Sequence, residues 1–206
     1  NKYKYARIGR KIYKTETNFF DYKLPKLITS YIFIKYFKNS RNILEFGAGT
    51  GHNLVNLSRF NKSAKLHALD WAQETKKICN VLKKDIKIEG HTFDYFNPKV
   101  NFSLDKNWSC FTIASLEQVG LNYKKFIDLI IKKKPKLVVN LEPIAELLDK
   151  NNELENLSIK YFLKRNYLKD YLNYLKKMEK KKKIKIIKTR KSYFGSLYIN
   201  GYSLVV

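Results

Sequence analysis

Apolar positions along the chain alternate between short continuous runs and longer stretches with helical spacing. The short runs predict strands, and they occupy 42–46, 65–69, 86–93, 109–114 and 136–141. Apolar residues at three- and four-residue spacing predict helices at 51–60, 73–84 and 123–133. Ahead of the first strand, 13–37 predicts helix in two pieces, the second beginning at Pro25. Strand and helix therefore alternate through most of the chain.

The last third of the chain changes this alternation. A long helical pattern covers 144–181 and is interrupted near Asn151 and Asn152. Two further strands follow at 184–190 and 202–206, with no helix between them. Alternating strands and helices predict a parallel sheet with helices on both faces, whereas two strands without a crossover pair antiparallel. We expect an α/β fold with one mostly parallel seven-stranded sheet and an antiparallel C-terminal hairpin strand.

Length and composition fit one domain, 1–206. The 206 residues and the 44% apolar content suffice for a sizeable core. No apolar run is long enough to cross a bilayer, and no basic-then-apolar signal peptide opens the printed sequence. Cys79 and Cys110 lie far apart and without metal-ligand spacing, which indicates a reducing compartment. We therefore expect a cytoplasmic protein without a metal site, and the oligomeric state is left open.

The charge balance is strongly positive. Lys and Arg number 42 against 18 Asp and Glu, a formal net charge of +24. The stretch 176–191 alone holds ten of these basic residues among its sixteen. An excess of this size attracts polyanions such as RNA, and also anionic small substrates. A lysine-rich bias spread over the solvated surface explains the same totals, and the sequence leaves both interpretations open.

Three glycines directly follow the first predicted strand, in ILEFGAGTGHN at 43–53. Gly47, Gly49 and Gly51 permit positive φ and let a ligand approach bare backbone. Ligands of open α/β sheets bind beyond the carboxyl ends of the strands, which is where this turn lies. A glycine turn alone is weak evidence, because nicotinamide and flavin sites share it. The G-x-G-x-G spacing here differs from their usual G-x-G-x-x-G.

Together with later segments, this turn resembles the signature of class I S-adenosylmethionine-dependent methyltransferases. Glu45 to Gly51 matches the family's [DE]-x-G-x-G-x-G motif. Asp70, at the end of the second strand, matches the acidic residue that accepts hydrogen bonds from the ribose hydroxyls. FDYF at 93–96 is similar to the third-strand exit, where an acidic side chain meets the adenine. SLEQ at 115–118 follows the fourth strand, where the family lines its methyl-transfer cleft.

The resemblance covers about 40–141 and implies a fold, an activity and a cofactor. The fold is a three-layer Rossmann-like sandwich, and the activity is methyl transfer from S-adenosyl-L-methionine. The implied cofactor-binding residues are Glu45, Gly47, Ala48, Gly49, Gly51, Asn53, Asp70, Trp71, Asp94, Tyr95, Ser115 and Leu116.

Several of these contacts have a structural alternative. Glu45 either complements the charged end of the cofactor or pairs with a lysine. Asp70 either binds the ribose or caps the next helix. Trp71 either covers the adenine or packs as an ordinary aromatic residue. Asp94 either meets the adenine or occupies a turn before Pro98.

The same topology places the second substrate at the exits of the fourth and fifth strands. Glu117 and Glu142 are the candidate catalytic bases for a hydroxyl acceptor, with ion pairing to Lys or Arg on the following helix as the alternative for Glu142 and Glu146. The candidate substrate-binding residues are Gln118, Glu146, Tyr161, Arg165 and Tyr198. We also predict that 1–40 forms an N-terminal helical lid and that 144–181 is a helical insertion on the substrate side.

Three functions remain open. A weaker resemblance of SLEQVG and NLEPI to bacterial small-molecule and sugar methyltransferases favours a small polar metabolite or a carbohydrate as acceptor, methylated on O or N. The alternative is an RNA methyltransferase that uses the basic surface. Against it, Glu117 lies where amino-methylating nucleic-acid enzymes carry an N-P-P-[YF] tetrapeptide. The third is a non-catalytic, cofactor-binding subunit of a partner.

Overall fold

The computed structural model describes residues 4–16, 20–104 and 107–206. The helices within these ranges are α1 (Phe20–Phe37), α2 (His52–Ser58), α3 (Glu74–Leu82), α4 (Tyr123–Lys133), α5 (Glu153–Lys164) and α6 (Tyr171–Lys180). The strands are β1 (Tyr5–Ile8), β2 (Lys11–Lys14), β3 (Asn42–Phe46), β4 (Lys65–Asp70), β5 (Ile88–Thr92), β6 (Trp108–Ile113), β7 (Leu137–Glu142), β8 (Thr189–Arg190), β9 (Phe194–Gly195) and β10 (Ser203–Val205). None of these helices combines the length and the apolar character needed to span a bilayer.

The central sheet has seven strands in the order β5-β4-β3-β6-β7-β10-β8. The five strands from β5 to β7 run parallel, and β10 pairs antiparallel with both β7 and β8. The predicted α/β fold, with its antiparallel C-terminal hairpin strand, is thereby confirmed. The chain order reverses between β3 and β6, so the carboxyl ends of these two strands flank a crevice of the kind in which open α/β sheets bind ligands.

The sheet separates two apolar layers, which makes the fold a Rossmann-like sandwich. On one face α4 and α6 cover the sheet, and Phe46 packs edge-to-face against Phe93 and Phe126 at ring-centroid distances of 4.7 and 4.9 Å. On the other face α1, α2 and α3 cover it, and Phe33 lies 5.2 Å from Phe111 between ring centroids. Burial of aromatic residues on both faces fixes the strands in place, and with them the crevice at their carboxyl ends.

The N-terminal segment differs from the prediction of helix. β1 and β2 form an antiparallel hairpin, and the other edge of β1 pairs with β9 in a separate three-stranded sheet. Every residue of β2 is exposed, so no buried face marks this strand in the sequence. α1 runs unbroken through Pro25, so the predicted division into two pieces is also wrong. One proline near the start of an 18-residue helix removes a single backbone hydrogen bond, which the remaining turns tolerate.

The predicted helical insertion is divided twice. The break near Asn152 is confirmed, because its side chain accepts a hydrogen bond from the backbone N–H of Glu155 at 3.1 Å and caps α5. A second break, between α5 and α6, was not predicted. Asn166, just past the end of α5, adopts a φ of 53°, a conformation that ends a helix, and Asp170 has a φ of 58° directly before α6. The strand predicted at 184–190 is reduced to the two residues of β8.

Arg7 fastens the N-terminal hairpin to the rest of the protein. Its side chain is only 2% exposed. Its Nη1 donates to the Leu154 carbonyl at 2.8 Å, to Ser158 Oγ at 2.7 Å and to Asn200 Oδ1 at 2.7 Å. Leu154 and Ser158 belong to α5, and Asn200 lies in the loop that precedes β10. One buried cation therefore joins the hairpin, α5 and the 192–202 loop.

Candidate functional site

The glycine loop that follows β3 has the backbone conformation that its sequence predicts. Gly47, Gly49 and Gly51 have φ of 75°, 51° and 73°. A Cβ atom on Gly47 would collide with the side chain of Ser115, so this glycine also permits a close approach to the loop after β6. A Cβ atom on Gly49 would meet no atom within 4 Å and would project into open space. The loop is therefore packed on its Gly47 side and open on its Gly49 side.

Asp70 holds the glycine loop from the end of β4. Its Oδ2 accepts a hydrogen bond from the backbone N–H of Gly49 at 2.7 Å, and its Oδ1 accepts one from Ala72 at 2.9 Å. α3 begins after Gln73, so Asp70 stabilises the turn and does not cap the helix. Each carboxylate oxygen has two lone pairs. Asp70 therefore keeps acceptor capacity for a ligand diol in the open space beside Gly49.

Glu45, on β3, is a buried carboxyl with one unpaired oxygen. Asn53 Nδ2 donates to its Oε1 at 2.7 Å, so its partner is an amide rather than a lysine. Its Oε2 is buried without a hydrogen-bond partner. Burial raises the pKa of Glu45 to about 8. A buried acceptor without a donor is costly, and a cationic group bound beside the glycine loop would satisfy it.

The aromatic and polar residues predicted around the adenine have different surroundings. Trp71 is 80% exposed, so it is not an ordinary core aromatic. Asp94 is exposed and accepts a hydrogen bond from the backbone N–H of Phe96 at 2.8 Å, as in a turn. The Tyr95 hydroxyl lies 3.1 Å from Ser115 Oγ, which in turn donates to the Phe46 carbonyl at 2.8 Å. Tyr95 and Ser115 therefore join the exits of β5 and β6 to the end of β3.

Glu142, at the end of β7, supports the loop after β6. It is fully buried, and its Oε1 accepts hydrogen bonds from the backbone N–H groups of Ser115 and Leu116 at 3.3 and 3.2 Å. Its Oε2 accepts one from Glu117 at 3.2 Å. Burial raises the pKa of Glu142 to about 7. Both carboxylate oxygens of Glu142 accept hydrogen bonds from the backbone, so Glu142 stabilises the loop after β6 that lines the cleft. Its partners are backbone N–H groups, so the alternative interpretation of Glu142 as an ion-paired residue is wrong.

Glu117, in the segment that follows β6, has a different environment from Glu142. Its side chain is 4% exposed, and its Oε2 is buried without a hydrogen-bond partner. Burial, and next the nearby carboxyl of Glu142, raise the pKa of Glu117 to about 8. Tyr167 and Arg165 oppose this rise in the pKa of Glu117, and the Arg165 guanidinium lies 5.9 Å from the centroid of the Tyr167 ring. Glu117 is thus a carboxyl with a free oxygen and a pKa suited to proton transfer near neutral pH.

The residues predicted to bind substrate do not converge on one point. Gln118 is exposed, and Tyr198 is 58% exposed. Glu146 Oε1 accepts a hydrogen bond from the backbone N–H of Leu172 at 2.7 Å and so satisfies a donor in the first turn of α6. Tyr161 and Arg165 both contact Tyr167, with 6.2 Å between the rings of Tyr161 and Tyr167. Tyr161, Arg165 and Tyr167 therefore form a cluster beside Glu117.

A cavity of about 700 Å³ lies beside the glycine loop, on the α1 and α2 face of the sheet. Thr50, His52 and Asn53 form the wall nearest the glycine loop, and Ile113 and Leu141 form the wall at the ends of β6 and β7. The rest of the wall comes from the first half of α1, from α2, from Ile78 and Leu82 of α3 and from the 192–202 segment, including Phe20, Tyr22, Phe194 and Tyr202. No local sequence pattern indicates this part of the wall, because its residues belong to segments far apart in the chain.

Comparison with known proteins yields matches in structure only: no family model and no curated protein matches this chain. The plantazolicin methyltransferase BpumL, in complex with SAH and a monoazolic desmethylPZN analog, matches with a TM-score of 0.52 and 22% identity over 82% of this chain and 66% of that chain. The small RNA methyltransferase HEN1 matches at 0.64 and 12%, over 95% and 27%. An O-methyltransferase family protein from Burkholderia thailandensis matches at 0.61 and 10%, over 88% and 55%.

At these identities the likeness establishes the fold. The predicted resemblance to class I S-adenosylmethionine-dependent methyltransferases is confirmed at that level. This chain spans about two thirds of the length of BpumL and a smaller share of the other two proteins. The names of the three matched proteins give different classes of acceptor or none.

Proposed function

We propose that this protein is an S-adenosyl-L-methionine-dependent methyltransferase that methylates an oxygen or nitrogen of a small molecule. The observation that carries the proposal is the arrangement around Gly49. The Asp70 carboxylate holds the glycine loop, whose glycines have positive φ and which is open beside Gly49. Buried Glu45, on the strand that leads into this loop, has an oxygen without a hydrogen-bond partner. This combination supports a ligand that brings both a diol and a cationic group.

The residues present fit that cofactor. The open space at Gly49 admits a ligand against bare backbone, where any larger residue would fill it. Asp70 would hold the ribose hydroxyls, Glu45 and Asn53 would face the ammonium group, and exposed Trp71 would cover the adenine. When bound, the cofactor supplies a methyl group on a sulfonium centre. The glycine loop and Glu45 would orient it, and the surrounding walls would exclude water.

Glu117 is the proposed catalytic base, and Glu142 the residue that positions it. Glu117 has a free oxygen at the exit of β6 and a pKa of about 8, so it can accept a proton from a bound hydroxyl or ammonium group. The backbone of Glu117 is held by Glu142 Oε2 at 3.2 Å. Displacement of this backbone would move the base away from its substrate, and small displacements of that kind lower turnover strongly.

The cavity supports a small molecule with a substantial apolar part as the acceptor. Its walls are formed largely by aliphatic and aromatic side chains. A small polar metabolite or carbohydrate stays a prediction of the sequence, and polar side chains of the lining such as Thr50, Asn53 and Asn56 would be its hydrogen-bond partners.

The basic tract at 176–191 gives the RNA alternative little support. α6 begins beside Glu146, at the carboxyl ends of the strands, and its ten residues extend for about 15 Å towards the amino ends of the strands. The basic tract begins in the second half of α6, and so it lies away from the proposed site of methyl transfer. Lysines at the end of a helix also interact favourably with its dipole, which accounts for part of this charge.

Methyl transfer from a radiolabelled donor tests this proposal directly. Extract of the source cells is divided into a small-molecule fraction and an RNA fraction, and each is incubated with the protein and with its Glu117→Gln variant. We expect label in the small-molecule fraction, and at least tenfold less with Glu117→Gln, which should still bind the product S-adenosylhomocysteine normally. Label in RNA alone would favour the RNA alternative. Label in neither fraction would favour the non-catalytic one.

A further inference from the structure

Two histidines and a glutamate meet on one face of the central sheet, at the edge formed by β5. His67 on β4 pairs with Glu89 on β5, and His91 on β5 pairs with Leu69, two positions after His67. Paired residues of neighbouring strands share a face of the sheet, and so do residues two positions apart in one strand. The pairing therefore brings His67, Glu89 and His91 together. No motif spacing indicates this cluster, because His67 and His91 are 24 positions apart in the chain.

One atom of each side chain in this cluster lies at the distance that a shared metal ion requires. His67 Nδ1 lies 3.0 Å from His91 Nε2, and Glu89 Oε2 lies 3.9 and 3.8 Å from these two nitrogens. The circle through three atoms at these distances has a radius of about 2.1 Å, which is within the range of Zn–N and Zn–O bond lengths. An ion at the centre of this circle is therefore at bonding distance from all three atoms.

Neighbouring residues orient these three side chains. Lys65 Nζ lies 3.0 Å from Glu89 Oε1, so the other carboxylate oxygen is the one that faces the histidines. The Phe102 ring stacks on the His91 ring at 3.8 Å between centroids and on the His67 ring at 5.0 Å. The Glu89 side chain is 51% exposed, so water can reach an ion from that side. Ligands that are held by a further set of contacts are typical of metal sites.

We propose that His67, Glu89 and His91 form a zinc site that fastens the edge strand β5 to β4. Imidazole nitrogens and a carboxylate oxygen are ligands that Zn²⁺ prefers, whereas Mg²⁺ and Ca²⁺ bind through oxygen. Each imidazole binds in its neutral form, with its proton on the other ring nitrogen, and water completes the coordination. His67 precedes Asp70 by three residues, about 10 Å along β4. The ion therefore lies away from the cofactor cradle and has a structural role, independent of the proposed function.

A hydrogen bond between the two histidines explains the 3.0 Å distance without a metal. That account involves only the two rings, because Glu89 Oε2 lies beyond hydrogen-bond distance from both of them. An ion at the centre of the cluster joins all three side chains. The two accounts therefore differ in a measurable way: the hydrogen-bonded pair predicts no uptake of zinc, and the metal site predicts uptake that depends on Glu89 as well as on His91.

Calorimetric titration with Zn²⁺ tests the inference, on protein that carries no polyhistidine tag and has been treated with a chelator. Co²⁺ is titrated in parallel, because its visible absorption reports the number and the geometry of its ligands. The variants are His91→Gln and Glu89→Gln, and both should fold because neither residue is buried. His52→Gln and Glu74→Gln are the matched controls, because His52 and Glu74 are exposed and lie outside the cluster.

We expect one Zn²⁺ per chain with a dissociation constant of about 1–10 μM, weaker than in structural sites with four protein ligands. The Co²⁺ spectrum should be that of a four- or five-coordinate ion. Loss of one ligand, in His91→Gln or in Glu89→Gln, should weaken zinc about tenfold or more, and the two controls should bind like the unaltered protein.

The unfolding temperature provides a second measurement. Zinc at about ten times its dissociation constant should raise this temperature by about 3 °C in the unaltered protein, and by less than half as much in His91→Gln. The inference is overturned if zinc is not bound at about 100 μM, if His91→Gln binds zinc as tightly as His52→Gln, if Glu89→Gln binds it as tightly as Glu74→Gln, or if Mg²⁺ binds as tightly as Zn²⁺.

Discussion

The carboxylate of Asp70 accepts a hydrogen bond from the backbone N–H of Gly49 at 2.7 Å. This bond joins the end of β4 to the glycine loop that follows the neighbouring strand β3. The same side chain would also hold the ribose of the cofactor in the proposed function. Asp70 therefore connects the shape of the loop to the binding of the ligand, and changes at Asp70 should affect binding more than folding.

Replacement of Asp70 by Asn should weaken S-adenosylhomocysteine at least tenfold. An amide keeps one acceptor oxygen but loses its charge, and a hydrogen bond to a charged group is worth about 1.5–3 kcal/mol. Binding is measured by calorimetry, and thermal unfolding is followed in parallel. Asp85→Asn is the control, because Asp85 is an exposed carboxylate outside the site. Equal affinity in Asp70→Asn and Asp85→Asn would mean that the ribose lies elsewhere.

Two glycine substitutions in one loop should have separable effects. Gly47→Ala places its methyl group against the side chain of Ser115, so it should lower the unfolding temperature by several degrees and also reduce binding. Gly49→Ala meets no neighbour within 4 Å, so its effect on stability should be limited to the backbone cost of about 1–2 kcal/mol for a positive φ. It should nevertheless abolish S-adenosylhomocysteine binding. Normal binding by Gly49→Ala would show that the open space beside Gly49 is not the cofactor site.

The stability of the protein should fall as the pH rises from about 4.5 to about 8. Burial raises the pKa of Glu45 from 4.5 to about 8, so the folded state keeps a proton that the unfolded state releases in this window. Each unit of such a shift corresponds to about 1.4 kcal/mol. Glu45→Gln keeps an acceptor for Asn53 and removes the titration. Its free energy of unfolding should therefore change less with pH, whereas a curve parallel to that of the unaltered protein would contradict the assignment. Glu117 and Glu142 contribute in the same direction, so some slope should persist.

Replacement of Glu142 by Gln should cost about 1–3 kcal/mol of folding free energy. The amide nitrogen would face a backbone N–H that the carboxylate now accepts, and a buried donor would lose its partner. Turnover should also fall, because the backbone of Glu117 loses its support. Glu153→Gln serves as the control, since Glu153 is exposed on α5. Unfolding temperatures that coincide in the two variants would contradict the positioning role of Glu142.

Much of the sheet and of the cofactor cradle could be predicted from the sequence, because both depend on local patterns. The glycine loop has a spacing of its own, and Asp70 follows a strand that the apolar pattern predicts. The hairpin of β1 and β2 could not be predicted in this way. β2 buries no residue, and β1 pairs with β9, which is nearly two hundred positions away in the chain.

The hydrogen bonds that Glu142 accepts from the backbone of the cleft could not be predicted from the sequence pattern either. Glu142 and the backbone of 115–117 are brought together only because β6 and β7 are neighbours in the sheet. The sequence placed Glu142 in the cleft as a candidate base and could not show that both of its oxygens face backbone donors. The cavity was missed for a similar reason, since α1 and the 192–202 loop meet only in the folded protein.

Calorimetric titration of the folded protein with S-adenosylhomocysteine tests the central claim most directly. We predict uptake of one molecule per chain, with a dissociation constant in the range of about 1 μM to 1 mM that enzymes show for their substrates. Material that unfolds cooperatively and yet takes up neither this compound nor S-adenosyl-L-methionine would contradict it.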